Sequence, residues 1–359
     1  MENQKILAIN PGSTSTKIAV FEGEKSIFQK NIKHSPEDLK DFEKITDQFQ
    51  FRKEIILNEL KEAQIDINSI KIVVGRGGLV KPIPSGIYEV NEPMKNDLRV
   101  SPLGEHASNL GGLIADDIAK SLSNTKAYIV DPVVVDEMQD VARLTGHPNF
   151  ERISIFHALN QKAIARTHAN SLGKNYENLN LIVAHLGGGI SVGAHYQGKV
   201  IDVNNALDGD GPFSPERTGT LPCGQVAKLC FSGKYTHAEI KKMIKGEGGL
   251  VAYLGTNDAY QVEMKALEGD KKAQLVQDAM AYQVAKEIGS MAAVLKGKVD
   301  GILLTGGIAY NKEFVEYVRD LVGFIAPLTV YPGEDEMKAL AMNGLLVLRG
   351  EIQCRVYDK

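Results

Sequence analysis

A motif that occurs twice constrains this chain more than any other feature of its sequence. Asn10-Pro11-Gly12 and His185-Leu186-Gly187 each follow a short apolar run, and each leads through a turn into an alternating stretch. Asn10 matches His185, Gly12 matches Gly187, Ala19 matches Ala194 and the hairpin glycine Gly23 matches Gly198, all at one offset of 175 residues (185 − 10). One offset held across loop, strand and hairpin turn, close to half of 359 residues, argues for a duplicated domain and against a short-period solenoid.

Each copy reads as strand, loop and strand. In the first, residues 5–9 are apolar, 10–15 are small and polar, and 17–21 alternate before the turn Glu22-Gly23-Glu24. In the second, residues 181–184 lead to Gly187-Gly188-Gly189, then to 190–196, the turn Gln197-Gly198 and a third strand over 199–203. Further strands are predicted at 70–74, ending in Gly75-Arg76-Gly77-Gly78, at 127–130, ending in Asp131-Pro132, and at 301–304, ending in Thr305-Gly306-Gly307. Apolar residues at helical spacing predict helices over 41–63, 105–122, 157–172, 273–295 and 336–348.

The fold class is therefore α/β, and the chain is long enough for two cores. The expected division is an N-terminal domain over 1–148, a C-terminal domain over 149–335, and a helix and tail over 336–359 that pack back toward the first domain. Gly, His and Pro interrupt regular structure over 146–152, which sets the first boundary.

A formal net charge of -4 provides no basic field for nucleic acid or anionic lipid, and a small ligand is the expected partner. Cys223, Cys230 and Cys354 form neither a disulfide framework nor a metal set, and are expected to be ordinary buried thiols in a reducing compartment. The apolar start at residues 6–9 is too short for a signal peptide, and no run is long enough to span a bilayer, so the expected location is cytoplasmic.

The loops are the candidate chemistry. In Asn10-Pro11-Gly12-Ser13-Thr14-Ser15-Thr16-Lys17, glycine allows close backbone approach, hydroxyls donate to anionic oxygens and Lys17 compensates charge. The segment lacks the Gly-Lys-Ser/Thr ending of a Walker loop and runs into a strand instead of a helix. The matching Gly187, Gly188 and Gly189 favour a pair of phosphate loops over two solvated turns. Gly306 and Gly307, at a strand's carboxyl end, leave a flat backbone surface for a nucleobase and ribose.

These three segments resemble the two phosphate motifs and the adenosine motif of the acetate and sugar kinase, Hsc70 and actin superfamily. Within it the chain resembles the acetate/butyrate kinase family over nearly its whole length, through Val74-Gly75-Arg76-Gly77-Gly78, Phe156-His157 and the segment from Gly211-Pro212 to Thr218-Gly219. Ser-Thr-Ser in the first loop and Gly-Gly-Gly in the second bring it nearer the butyrate kinases than the acetate kinases. The resemblance implies a duplicated actin-like, ribonuclease H-like fold with a cleft between domains. The implied reaction is direct in-line phosphoryl transfer from ATP to the carboxylate of butyrate or a related short or branched fatty acid, with ATP and Mg2+ as cofactors and a homodimer or higher oligomer as the assembly.

A carboxylate is already a nucleophile and needs no general base, but its charge and that of the γ-phosphate must be cancelled. Arg76, at a strand end between glycines, and Arg217, in a Pro/Gly-rich loop, match the family's arginines and carry forks suited to carboxylate or phosphoryl oxygens. By the same resemblance Asp131 stands near the metal and the attacking oxygen, Glu336 is linked to magnesium, and His157 and His185 donate to the transferring phosphate. Asn10 orients the phosphoryl group or a metal-bound water, while Ser13, Thr14 and Gly187, Gly188 and Gly189 contact the nucleotide phosphates. His34, His147, His168, His195 and His237 are read as structural. Acetate or propionate kinase activity, a sugar kinase and an actin- or chaperone-like ATPase module are the alternatives.

Overall fold

The computed structural model describes residues 4–358. Residues 1–3 of the expected first domain and residue 359 of the expected tail lie outside the described residues. The first sheet contains β1 (Lys5–Pro11), β2 (Ser15–Glu22), β3 (Lys25–Lys33), β4 (Ile70–Arg76), β5 (Ile87–Glu89) and β6 (Lys126–Val130), in the order β3-β2-β1-β4-β6-β5. The second contains β7 (Asn180–Leu186), β8 (Ile190–Tyr196), β9 (Lys199–Val203), β10 (Gly301–Gly306) and β11 (Leu328–Pro332), in the order β11-β10-β7-β8-β9.

Without the edge strand β5 the two sheets have one topology. Three antiparallel strands come first, and two parallel strands then add beyond the first of them. β1 and β7 begin 175 residues apart (180 − 5), as do β2 and β8 (190 − 15), so the sequence offset is the register of a structural duplication.

Both faces of each sheet are covered, which is why the central strands are apolar on both sides. In the first sheet Leu7 and Ile9 join the core built with Ile56 and Leu60 of helix Phe49–Glu62 and Leu110 and Leu113 of helix Asn109–Lys120. The opposite face, with Ile6, Ile72 and Val74, packs against Gly344 of helix Glu336–Leu348. In the second sheet Ile182, Ala184 and Leu186 share a core with helices Lys271–Val294 and Lys312–Val322. Leu181 and Val183 face Ala165 and Ala169 of helix Ala158–Ser171.

The described residues divide into two compact units, one running to Val135 and resuming at Asp335, the other Asp136–Glu334. The discontinuity has a simple origin. Helix Ala158–Ser171 follows the first sheet's strands in the chain but packs on β7, and helix Glu336–Leu348 follows β11 but packs on β1 and β4.

The predicted helix over 41–63 is a 3-10 turn, Ile45–Gln48, followed by helix Phe49–Glu62, and that over 105–122 begins at Asn109. β3 was not foreseen because it is a largely exposed edge strand with Ile32 its single buried residue. Helix Cys223–Cys230 buries no residue and presents no apolar stripe to a core. Cys223 and Cys230 are consequently exposed, and Cys354 is part-buried, which corrects the expectation of buried thiols.

Candidate active site

In the first unit the sheet itself lines up three of the predicted residues. β1 and β4 run parallel with Ile9 beside Gly75, and β4 and β6 run parallel with Arg76 beside Val130. Asn10, Arg76 and Asp131 therefore stand at the carboxyl ends of three adjacent strands, about 4.8 Å apart from strand to strand. Lys17 lies directly across from Asn10 on β2, on the same face.

Asn10 and Arg76 belong to the face covered by helix Glu336–Leu348, and the head of that helix meets them. One oxygen of the Glu336 carboxylate accepts from Asn10 Nδ2 and the other pairs with Arg76 Nη1. Asn10 and Glu336 are buried, which strengthens a charge-assisted cluster of this kind. Asp131 is also bonded to the segment before β5. Its Oδ1 accepts from Ser85 Oγ at 2.6 Å and from the Gly86 amide at 2.8 Å. Its φ of +35° is left-handed, a conformation that a non-glycine residue keeps where neighbouring bonds impose it.

The loop between β1 and β2 has a support that the sequence did not reveal. Arg52, fully buried in helix Phe49–Glu62, reaches the carbonyls of Gly12 at 2.8 Å, Ser15 at 3.0 Å and Ser13 at 3.1 Å. Ser13 and Thr14 themselves are exposed.

In the second unit the same construction carries different residues. His185, at the position equivalent to Asn10, faces helix Ala158–Ser171 together with Leu181 and Val183, and His157 stands at the head of that helix. The two imidazoles stack with centroids 4.1 Å apart and planes at 25°. Ser191, directly across from His185 on β8, brings its hydroxyl within 2.9 Å of His157 Nδ1. His185 Nε2 lies 3.5 Å from a Glu334 carboxylate oxygen.

Gly187, Gly188 and Gly189 form the turn from β7 to β8, braced by the segment that contains Arg217. Ser214 Oγ donates to the Gly188 carbonyl at 2.7 Å. The Arg217 guanidinium is held against Gly189 with Nη1 foremost, so that a Cβ there would fall 2.6 Å from Cζ. Its Nη1 donates to the Ala206 carbonyl, and burial lowers its pKa from the ordinary arginine value. Next to this turn, β10 runs parallel to β7 with Thr305 beside His185. Gly306 has a φ of +92° and lies against the backbone of Leu186, a fit that only glycine allows. Beyond it, Gly307 and Ile308 border an apolar cavity of about 320 Å³ with Met280, Phe314 and Gln277 in its wall. Gln277 Oε1 accepts from Asn311 at 2.9 Å, while its buried Nε2 makes no hydrogen bond among the described residues.

Three other histidines, His34, His168 and His195, are held by hydrogen bonds in buried surroundings. His195 is buried between the Tyr176 hydroxyl at 2.6 Å and Gln161 Oε1 at 2.9 Å, and burial keeps its pKa well below the usual imidazole value. Burial also lowers His34 and His168. His147 and His237 are exposed. Among the described residues no group of three or more His, Cys, Asp or Glu could hold a metal by itself. Glu336 and the Asn10 amide oxygen are nevertheless the hard oxygen donors that magnesium takes when nucleotide phosphates and water complete its shell. No helix among the described residues is long and apolar enough to cross a membrane.

Comparison with known proteins bears on the family and the fold. The family model described as the Acetokinase family matches residues 151–331. Over 353 residues the chain is 60% identical to Butyrate kinase 2 of Clostridium acetobutylicum, covering 98% of this chain and 99% of that protein. It is 55% identical, with the same coverage, to a protein of Bacteroides thetaiotaomicron named Probable butyrate kinase. The crystal structure of Porphyromonas gingivalis acetate kinase matches with a TM-score of 0.79 at 20% identity, over 96% of this chain and 100% of that one. A propionate kinase from Francisella tularensis matches with a TM-score of 0.74 at 20% identity, over 95% and 98%. The structural matches establish the duplicated two-domain fold.

Proposed function

The chain belongs to the acetokinase family, and from that premise we propose that it transfers the γ-phosphoryl group of ATP to the carboxylate of butyrate or of a closely related short or branched fatty acid. The observation that carries the reading is the Arg217 guanidinium laid on the Gly189 turn, in a chain that matches butyrate kinases over nearly its full length. A cation fixed on a phosphate-type loop is what a transfer between two anions requires.

In this reading Gly187, Gly188 and Gly189 in the second unit, and Ser13, Thr14 and Lys17 in the first, bind phosphate oxygens. The cavity beside Gly306 and Gly307 takes the adenine and ribose. Arg217 meets the charge of the transferring group. His157 and His185 donate to its oxygens, their rings held in place by stacking and by Ser191. Arg76 binds the acyl carboxylate, and its pairing with Glu336 keeps the guanidinium from folding onto the surface. Asp131 and Asn10 orient the attacking and phosphoryl oxygens. Asn10 and Glu336 would hold magnesium, which when bound supplies charge neutralisation at the phosphate oxygens.

The test is formation of acyl phosphate from ATP, trapped with hydroxylamine, across acetate, propionate, butyrate, isobutyrate and valerate. The highest kcat/KM is expected for butyrate or isobutyrate, and activity on none of the acids overturns the reading. Arg217→Ala is expected to lower kcat by about 10³-fold or more with the circular dichroism spectrum unchanged, and a near-native rate would remove Arg217 from the reaction.

A further inference from the structure

Arg52 is a fully buried cation whose hydrogen-bond partners among the described residues are all neutral. Nε and Nη2 donate to Gln48 Oε1 at 3.0 and 2.8 Å, and Nη1 donates to the Thr16 hydroxyl at 3.0 Å. Its remaining bonds go to the carbonyls of Gly12, Ser13 and Ser15. The fourth carbonyl of the loop, that of Thr14, accepts from the His34 amide at 2.9 Å. Every carbonyl from Gly12 to Ser15 is thus turned inward. The amides of Ser13 and Thr14 make no hydrogen bond among the described residues, and both side chains are exposed.

That division of polarity has a direct consequence. A loop with its carbonyls bound on one side presents its amide dipoles on the other, and successive outward amides form a concavity for an anion. A buried guanidinium is costly unless its charge is met, and among the described residues no carboxylate bonds to this one. An anion held on the outer side of the same loop would do so. Burial lowers the Arg52 pKa only to about 10, so the group remains charged at neutral pH. The planar fork is essential to the arrangement, since a lysine ammonium is a point donor and could not span three carbonyls and a hydroxyl.

We propose that Arg52 is a positioning residue for nucleotide phosphate: by gathering the loop's carbonyls it aims the Ser13 and Thr14 amides and hydroxyls at the phosphate chain and backs them with positive charge. This rests on the assignment of the Ser13 and Thr14 loop to phosphate binding, and the experiment separates the two.

Full-length protein is titrated calorimetrically with adenosine and with AMPPNP in the presence of magnesium, and the ratio of the two dissociation constants measures the contribution of the phosphates. In Arg52→Lys and Arg52→Gln the ratio is expected to fall at least tenfold, with adenosine affinity within twofold of wild type. KM for ATP is expected to rise more than kcat falls. A purely structural role would weaken both ligands together or leave the ratio unchanged, and a ratio within twofold of wild type in a folded variant overturns the proposal. If both variants fail to fold, Gln48→Met decides, because it leaves Arg52 in place and removes only its two anchoring bonds. A threefold or greater loss of the ratio then supports the proposal, and a smaller one overturns it. A wild-type protein that binds AMPPNP no tighter than adenosine refutes the phosphate assignment instead.

Discussion

Gly189→Ala tests the contact on which the proposed chemistry depends. The added Cβ would lie 2.6 Å from Arg217 Cζ and 3.3 Å from Nη2, with Nη1 nearer still. Ordinary contacts of this kind are about 3.5–4.0 Å, so the guanidinium must retreat by about 1 Å. It cannot do so freely, because Nη1 is bonded to the Ala206 carbonyl. Gly189 is not among the glycines with positive φ, so alanine brings no backbone strain and the effect passes through Arg217. A displacement of about 1 Å from productive geometry costs roughly 10²-fold in rate, or about 2.7 kcal/mol of transition-state stabilisation. The assay is hydroxylamine-trapped acyl phosphate at saturating ATP and butyrate. Gly289→Ala is the control, since a Cβ there meets nothing within 4 Å and the residue is exposed on helix Lys271–Val294, and it is expected to stay within about threefold of wild type. Gly189→Ala combined with Arg217→Ala should be no slower than Arg217→Ala alone. A Gly189→Ala enzyme as active as the Gly289→Ala control, or losses that simply add in the double variant, would refute the reasoning.

Two further outcomes follow from buried charge. Glu336→Gln removes the anion that Asn10 and Arg76 share and is expected to lower kcat by about a hundredfold while leaving adenosine binding, measured calorimetrically, unchanged. Glu287 lies on helix Lys271–Val294 with its pKa pushed up to about 7 by burial first and by Asp210 next. A folded-state pKa above the unfolded value means that the folded protein binds the extra proton, so stability is greatest below the unfolded pKa near 4.5 and falls as pH rises through about 7. Charging Glu287 then costs on the order of 3 kcal/mol. Glu287→Gln should raise the urea midpoint at pH 8 and change it little at pH 5; equal shifts at both would show that its ionisation is not the cause.

How much of this was legible in the sequence depended on the range of the interactions. The two turns were visible because strand, glycine turn and strand are local patterns, and their shared offset carried over into strands that begin in register. Arg52 was not visible, since its importance lies in carbonyls 37 to 40 residues away in sequence. An arginine four residues before Ile56 and eight before Leu60, on the helix's apolar stripe, with Gln48 one turn before it, was the one available signal. Gln277 was likewise hidden in a helix of mixed polar and apolar residues, where nothing sets it apart from Gln274 and Gln283, although its buried Nε2 marks the wall of the cavity beside Gly307. Asp131 was correctly placed at a strand end, but its bonds to Ser85 and Gly86 depend on a segment with no regular pattern.

The duplication also explains why the candidate site residues come in unlike pairs. Position 10 in one sheet and position 185 in the other occupy the same place, at the end of the first strand and on the face covered by a crossing helix. In each unit the residue at the head of that helix meets the strand-end residue: Glu336 meets Asn10, and His157 meets His185. The scaffold therefore fixes the meeting point, and the side chains alone fix its chemistry. In the first unit an acid draws Asn10 and Arg76 together, giving oxygen donors and a guanidinium suited to a metal and a carboxylate. In the second, two stacked imidazoles and Arg217 provide donors suited to phosphoryl oxygens. A symmetric pair of sites would offer the same charge to both reactants, whereas transfer between two anions needs one set of groups for each. On the proposed reading, divergence at equivalent positions would supply those two sets without altering either sheet.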